Sequence, residues 1–187
     1  MSVKKYYWIR GCLSMCLSFM LCSCNTDNGQ KLLKEITLLR SKPIDYCQNK
    51  LVYDNVLQER IKYIVYSDSV NCTSCAINQM DLWNPLLEYS KSYNGLLNFY
   101  FIFRPAKKDI KNVKLVLSKN VKFNYPVFLD TLGEFEKLNP HLPKNKALHT
   151  FLLDENNNVI LVGDPLHNKK IEEMFYKIVK EKLGKPQ

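Results

Sequence analysis

The sequence predicts an α/β fold: a mixed central sheet flanked by helices, with a strand–helix insertion in the middle and a β-hairpin plus helix at the end. Three observations predict it. Residues 61–66 and 96–103 are apolar runs rich in β-branched and aromatic side chains, as suits strands buried on both faces. The stretch between them repeats its apolar residues at helical spacing. Near the C-terminus, two short apolar runs flank Glu155-Asn156-Asn157-Asn158, and asparagine tolerates the positive φ that tight hairpin turns require.

The 187 residues do not all belong to that fold. Lys4, Lys5 and Arg10 precede an apolar run from Cys12 to Leu21, which is far short of the roughly 20 residues a membrane-spanning helix needs. A basic region followed by a short apolar one reads as a signal peptide over residues 1–23. The run ends in Leu21-Cys22-Ser23-Cys24, which resembles the bacterial lipobox, and the resemblance implies acylation at Cys24. Two or more acyl chains make a stable anchor. Asn25 is not an aspartate that would retain the chain in the inner membrane, so the expected location is the outer membrane, facing the periplasm. Cleavage before Cys24 removes three of the 27 basic residues and no acidic one, which leaves 24 against 18 and a charge of +6. The lysines are scattered through helical stretches rather than clustered with aromatics, the pattern of a solvated surface and not of nucleic-acid contact.

Residues 24–30 read as a short polar tether, and residues 31–187 as one domain with an N-terminal extension. A helix is expected over 31–40, closed by Pro43, and short strands at Ile44 and at 51–53. Residues 61–66 form the first central strand and 67–71 a polar turn. A helix then begins around Cys72-Thr73-Ser74-Cys75, with Ala76, Met80, Trp83 and Leu87 on one stripe and Pro85 kinking or ending it. Residues 96–103 are the second strand, 107–118 a helix through Ile110, Val113 and Leu117, 126–129 a short strand, and 132–138 a short helix. The hairpin joins 148–154 to 159–162. The last helix, 167–183, buries Ile171, Met174, Phe175, Ile178 and Val179. Its first-turn acids Glu172 and Glu173 and last-turn Lys180 and Lys182 suit the helix dipole, and Gly184 can cap it.

Of seven cysteines, Cys12, Cys16 and Cys22 go with the leader and Cys24 is the lipid site, leaving Cys47, Cys72 and Cys75. Three thiols in an oxidising compartment can form one disulfide and leave one over. A cysteine at a helix N-terminus is favoured as thiolate, the attacking species, which assigns Cys72 as the more exposed nucleophile. Cys75, one turn on and on the same face, is placed to resolve the mixed disulfide. Cys47 reads as a small buried hydrophobe. His141 and His167 read as loop and helix-start residues.

The CxxC at a strand–helix junction and the order of elements resemble the thioredoxin fold over about residues 44–184. Thr150-Phe151-Leu152-Leu153-Asp154 before a hairpin is similar to the strand pair of the membrane-anchored thioredoxin-like proteins, and residues 107–138 resemble that group's central insertion. With the lipobox, the chain resembles a thioredoxin-like lipoprotein of the Bacteroidetes type. The resemblance implies a thiol–disulfide oxidoreductase that exchanges with protein thiols and disulfides of the cell envelope and needs no cofactor. It departs at two places. The family's cis-proline position is Leu148, where a cis bond would cost ~3 kcal/mol. The family's buried acid, six residues before the first cysteine, is Tyr66; Asp68 is nearer in sequence but reads as a turn cap.

Other readings stay open. The dithiol could be a permanent structural disulfide, half a metal site, or the redox-silent relic of a binding lipoprotein. His149 could act as a base or bind copper with the two cysteines, although a strand histidine bonded to a carbonyl is the plainer expectation. No second CxxC or short-spaced histidine pair completes a zinc site. Ser69 matches half of a peroxidase motif, but Val65 stands where its proline belongs. Phosphate loops, HExxH and the nucleophile elbow are absent from the sequence.

Overall fold

The computed structural model describes residues 26–45, 60–68 and 73–186. The expected signal peptide, Cys24, Cys47, the strand at 51–53, Ser69 and Cys72 lie outside the described residues.

Five strands form one sheet in the order β3-β2-β1-β4-β5, with β1 Ile61–Ser67, β2 Leu97–Phe103, β3 Val127–Leu129, β4 Thr150–Leu153 and β5 Val159–Val162. β1 runs parallel to β2, in register from Ile61 opposite Leu97 to Ser67 opposite Phe103, and β2 runs parallel to β3. β4 is antiparallel to both β1 and β5. The two parallel crossovers carry the helices, as parallel pairing requires. The hairpin turn is held by the Asp154 carboxylate, whose Oδ1 accepts from the N–H groups of Asn156 and Asn158 at 2.9 Å each, while Asn157 takes φ 63°.

Side-chain alternation along β1 and β2 gives the sheet two dry faces. Tyr63, Phe99, Phe101 and Leu152 point to one face, where they meet Ile77, Met80, Trp83, Val113, Phe175 and Val179. Ile64, Tyr66, Tyr100, Ile102 and Phe151 point to the other, against Leu39, Ile44 and Phe135.

The helices are α1 Thr26–Leu39, α2 Thr73–Asn78, α3 Asn84–Lys91, α4 Ile110–Lys119, α5 Glu134–Leu138 and α6 Lys169–Leu183. Four local expectations are corrected. The helix expected from residue 31 begins at Thr26, so the polar residues 26–30 are helical. Ile44 is buried but forms no strand; its N–H donates to the Asn157 carbonyl at 2.9 Å. The helix after the dithiol is not continuous: it tightens into a 3-10 turn over Met80–Trp83 and restarts as α3. Pro85 therefore opens a helix rather than closing one. In a helix interior its ring would clash with the carbonyl four residues back, whereas in a first turn its missing N–H costs nothing. Met80, Trp83 and Leu87 are all buried, so the stripe survives the break. In α6, Met174 lies on the flank and is 47% exposed, while Phe175 and Val179 fill the core. Gly184 closes α6, its N–H donating to the Lys180 carbonyl at 3.0 Å. Among the described residues no helix is long and apolar enough to cross a membrane.

Candidate active site at the carboxyl end of the central strand

β1 is the middle strand, and the chain leaving its carboxyl end leads through Asp68 to α2. Cys75 lies in the first turn of α2. It is disulfide-bonded and exposed. Thr73 and Ile77 turn inward from α2 and are buried. Two asparagines of α4 and its end hold α2 in place. Asn112 Nδ2 donates to Ser74 Oγ at 3.0 Å, and Asn120 Nδ2 donates to the Ile77 carbonyl at 2.9 Å.

Opposite the end of β1 stands the loop that enters β4. Asn145 Oδ1 accepts from the Ala147 N–H at 3.1 Å and caps a 3-10 turn over Lys146–Leu148. Leu148 is buried there, and no peptide bond among the described residues is cis. The His149 carbonyl accepts from the Tyr66 N–H at 3.0 Å, which ties this loop to the last turn of β1. The His149 ring is 5% exposed and 5.4 Å from the Tyr66 ring. Its Nε2 donates to the Pro143 carbonyl at 2.8 Å, since a carbonyl can only accept. Burial holds the His149 pKa below the ordinary value, and Lys146 lowers it further against the opposing effects of the Pro143 carbonyl and Glu136. A buried, neutral, carbonyl-bonded ring is a poor candidate for a metal ligand through that nitrogen. Among the described residues no group of three His, Cys, Asp or Glu gathers into a metal site.

Two ion pairs close this end of the sheet, and neither is foreshadowed by local sequence patterns. Asp68, expected to cap a turn, is 6% exposed and pairs with Lys146. Arg104, which extends β2 with its N–H donating to the Ser67 carbonyl at 2.8 Å, pairs with Glu136. The Asp130 carboxylate caps α5, accepting from the N–H groups of Glu134 and Phe135 at 2.9 and 3.0 Å, and so aims Glu136 at Arg104. Gly133, at φ 66°, leaves room for the guanidinium; a Cβ there would meet Arg104 Nε at 2.8 Å. Where the resemblance implies a buried acid, the Tyr66 ring lies 4.6 Å from Phe135 in a tilted arrangement. Burial raises its pKa and Glu136 raises it further, while Arg104 opposes them; the hydroxyl forms no hydrogen bond of good geometry among the described residues. The phenol stays neutral and does not replace a carboxylate as proton acceptor. Of the other histidines, His141 is a buried loop residue, and His167 pairs with Asp164 at 2.8 Å just before α6.

No known family profile matches the chain, and no curated protein matches it. Among solved structures it is similar to a protein of Chlorobium tepidum assigned as thiol:disulfide interchange protein DsbE, at 18% identity and TM-score 0.44, over 65% of this chain and 79% of that one. It is similar to a thioredoxin-like protein of Porphyromonas gingivalis at 17% identity and TM-score 0.43, over 66% and 76%. A thioredoxin-like protein of Bacteroides caccae gives 16% and 0.44 over 65% of this chain, but only 41% of that one. Likeness at this level carries no argument about chemistry. The strand order, the strand directions and the succession of helices are what show that the chain has an α/β thioredoxin-like fold.

Proposed function

We propose that this chain is a thiol–disulfide oxidoreductase of the cell envelope, working through Cys72 and Cys75 as a reversible dithiol and held to the membrane by acylation at Cys24. The observation that carries the proposal is the exposed, disulfide-bonded Cys75 in the first turn of the helix that follows the central strand. Exposed disulfides are the exchangeable ones, whereas structural disulfides resist reduction. In the reductive direction the Cys72 thiolate attacks a partner disulfide, and one partner sulfur leaves as thiolate. Cys75 then attacks the mixed disulfide, releases the second partner thiol and closes the Cys72–Cys75 bond. Two electrons pass to the partner, and the opposite direction runs the same steps in reverse.

Equilibration in glutathione buffers of graded ratio, followed by alkylation of free thiols, tests this. A potential between about −120 and −270 mV, the span of the dithiol exchangers, supports exchange. A potential below about −300 mV marks a structural disulfide and removes the enzyme reading. For the anchor, Cys24→Ser is expected to abolish palmitate labelling and release the chain from membranes; unchanged labelling refutes it.

A second reading is a thioredoxin-fold binding lipoprotein that has lost turnover. Leu148, buried in a trans 3-10 turn where the family pattern carries proline, favours it. The pKa of Cys72 by pH-dependent alkylation separates the two. A value well below ~8.5 belongs to exchange, and an inert thiol to a scaffold.

A further inference from the structure

α1 has three sides, and the fold accounts for only two of them. At about 3.6 residues per turn, Ile36 and Leu39 point inward, where Leu39 is fully buried, and Glu35 beside them accepts from the Asn145 N–H at 3.1 Å. Asp27, Lys31 and Lys34 share a second side with Leu38, all four exposed, as a solvated face should be. The third side is Gly29, Gln30, Leu33 and Thr37, which are exposed and carry no charge. Leu33 is 65% exposed, and a Cβ added to Gly29 would meet nothing within 4 Å, so this side stands open. Arg40 borders it one residue past the helix, where its N–H still donates to the Ile36 carbonyl at 3.0 Å.

The position of the lipid site says what covers the open side. Only Asn25 separates Cys24 from Thr26, and two residues of chain reach ~7 Å at most. Acyl chains on Cys24 therefore hold the first turn of α1 at the headgroups. Leu33 lies about 10 Å further along the helix axis. A helix standing upright would lift it clear of a headgroup layer about 5–8 Å deep, whereas a helix lying flat keeps it at the acyl boundary. We infer that α1 lies along the membrane surface, with Gly29, Gln30, Leu33 and Thr37 against the lipid and the charged side turned to water. One leucine is a weak membrane ligand alone, but the anchor makes the contact intramolecular and raises its effective concentration. Lys31 and Lys34 balance Asp27 and Glu35 within α1, so the contact needs no anionic lipid. The inference rests on acylation at Cys24 and goes beyond it by fixing which face of the domain meets the bilayer.

The test is tryptophan quenching on the mature, acylated full chain in phosphatidylcholine vesicles, with the lipid brominated near the headgroup end of its acyl chains or left unbrominated. Trp83, the one tryptophan after Cys24, is 6% exposed in the core and supplies an unquenched background. Leu33→Trp and Gln30→Trp should each lose roughly twofold or more of their added emission to the brominated lipid. Leu38→Trp, on the charged side of α1, and Leu115→Trp, exposed on α4, should lose none. All four positions are exposed, and a urea midpoint near the parent's shows that each variant folds. No quenching of Leu33→Trp and Gln30→Trp, or equal quenching at all four positions, overturns the inference. So does quenching that appears only when phosphatidylglycerol is added. A blue-shifted Leu33→Trp emission that grows with protein density and ignores bromine makes a second copy the occupant, and also overturns it. Palmitate labelling and flotation with the vesicles are read alongside. A labelled, floating chain without quenching removes the surface contact and leaves the anchor, whereas an unlabelled chain removes both.

Discussion

Lys146→Met offers the sharpest probe of how the candidate site is held. Lys146 is the cation that the buried Asp68 carboxylate meets, with side-chain exposures of 36% and 7%. An exposed ion pair contributes ~0–1 kcal/mol, and breaking a fully buried one costs ~3–5 kcal/mol. Asp68 sits near the buried limit, but Lys146 reaches water that partly screens it, so the expected loss is ~2 kcal/mol. For a domain of this size that corresponds to ~4–8 °C in Tm. Asp68→Asn should cost a similar amount. The double variant should cost less than the sum, with a coupling of ~1 kcal/mol, because the second change removes a buried charge whose ion-pair partner the first had already taken away. Urea unfolding with the disulfide intact measures this, and m should stay constant across the cycle. If Lys146→Met falls within ~0.5 kcal/mol of the parent, or the two changes simply add, the pair does not hold the end of β1 to the β4 loop.

Three further outcomes follow from the same geometry. Phe175→Ala should cost ~4 kcal/mol, because the ring is fully buried and lies 5.5 Å from Tyr63 and 5.3 Å from Tyr176; urea unfolding checks it, and a loss below ~2 kcal/mol would mean the core collapses around the gap. Gly133→Ala should cost more than Gly184→Ala in thermal melts. Both have positive φ, but only at Gly133 does the new Cβ meet Arg104, so equal losses would show that Arg104 moves aside freely. The pH profile follows from His149 and His141, whose pKa values are both lowered, chiefly by burial and further by Lys146 and Lys42 respectively. Below about pH 6.5 the unfolded chain binds protons that the folded chain refuses, so their stabilisation is complete above that pH. It is lost as pH falls toward the folded values. His149→Gln, which can still donate to the Pro143 carbonyl, should flatten the drop in Tm between about pH 7.5 and about pH 5.5. An unchanged slope would place the titration elsewhere.

The parts of this fold that were legible in the sequence are those whose cause is local. β1 and β2 announce themselves because parallel strands buried on both faces must be predominantly apolar, and Tyr63, Ile64, Phe99 and Tyr100 are all buried. The hairpin is legible because Asp154 and the asparagines after it build their own turn. α6 announces itself through its stripe and its caps, although the stripe is too narrow to include Met174. The place of Cys75 in the first turn of α2 and of Leu148 just before β4 could be read because each is set by position along one element. Neither ion pair could be read in this way. Arg104 and Glu136 are 32 residues apart, and Asp68 and Lys146 lie on opposite sides of the central insertion. Only the sheet order brings them together. The break in the helix after the dithiol was partly visible in Pro85, but whether a proline ends one helix or opens the next depends on what its flanking turns pack against.

The central claim, that Cys72 and Cys75 exchange disulfides with envelope proteins, is tested most directly by trapping. Cells carrying Cys75→Ser, Cys72→Ser or both changes are acid-quenched, alkylated and run on non-reducing gels. Cys75→Ser should accumulate a reducible adduct with a partner, since the mixed disulfide formed at Cys72 then has no resolving thiol; Cys72→Ser should accumulate none. Absence of adducts from both single variants, with the double variant complementing a deletion strain, would contradict the account and leave the dithiol a structural bond.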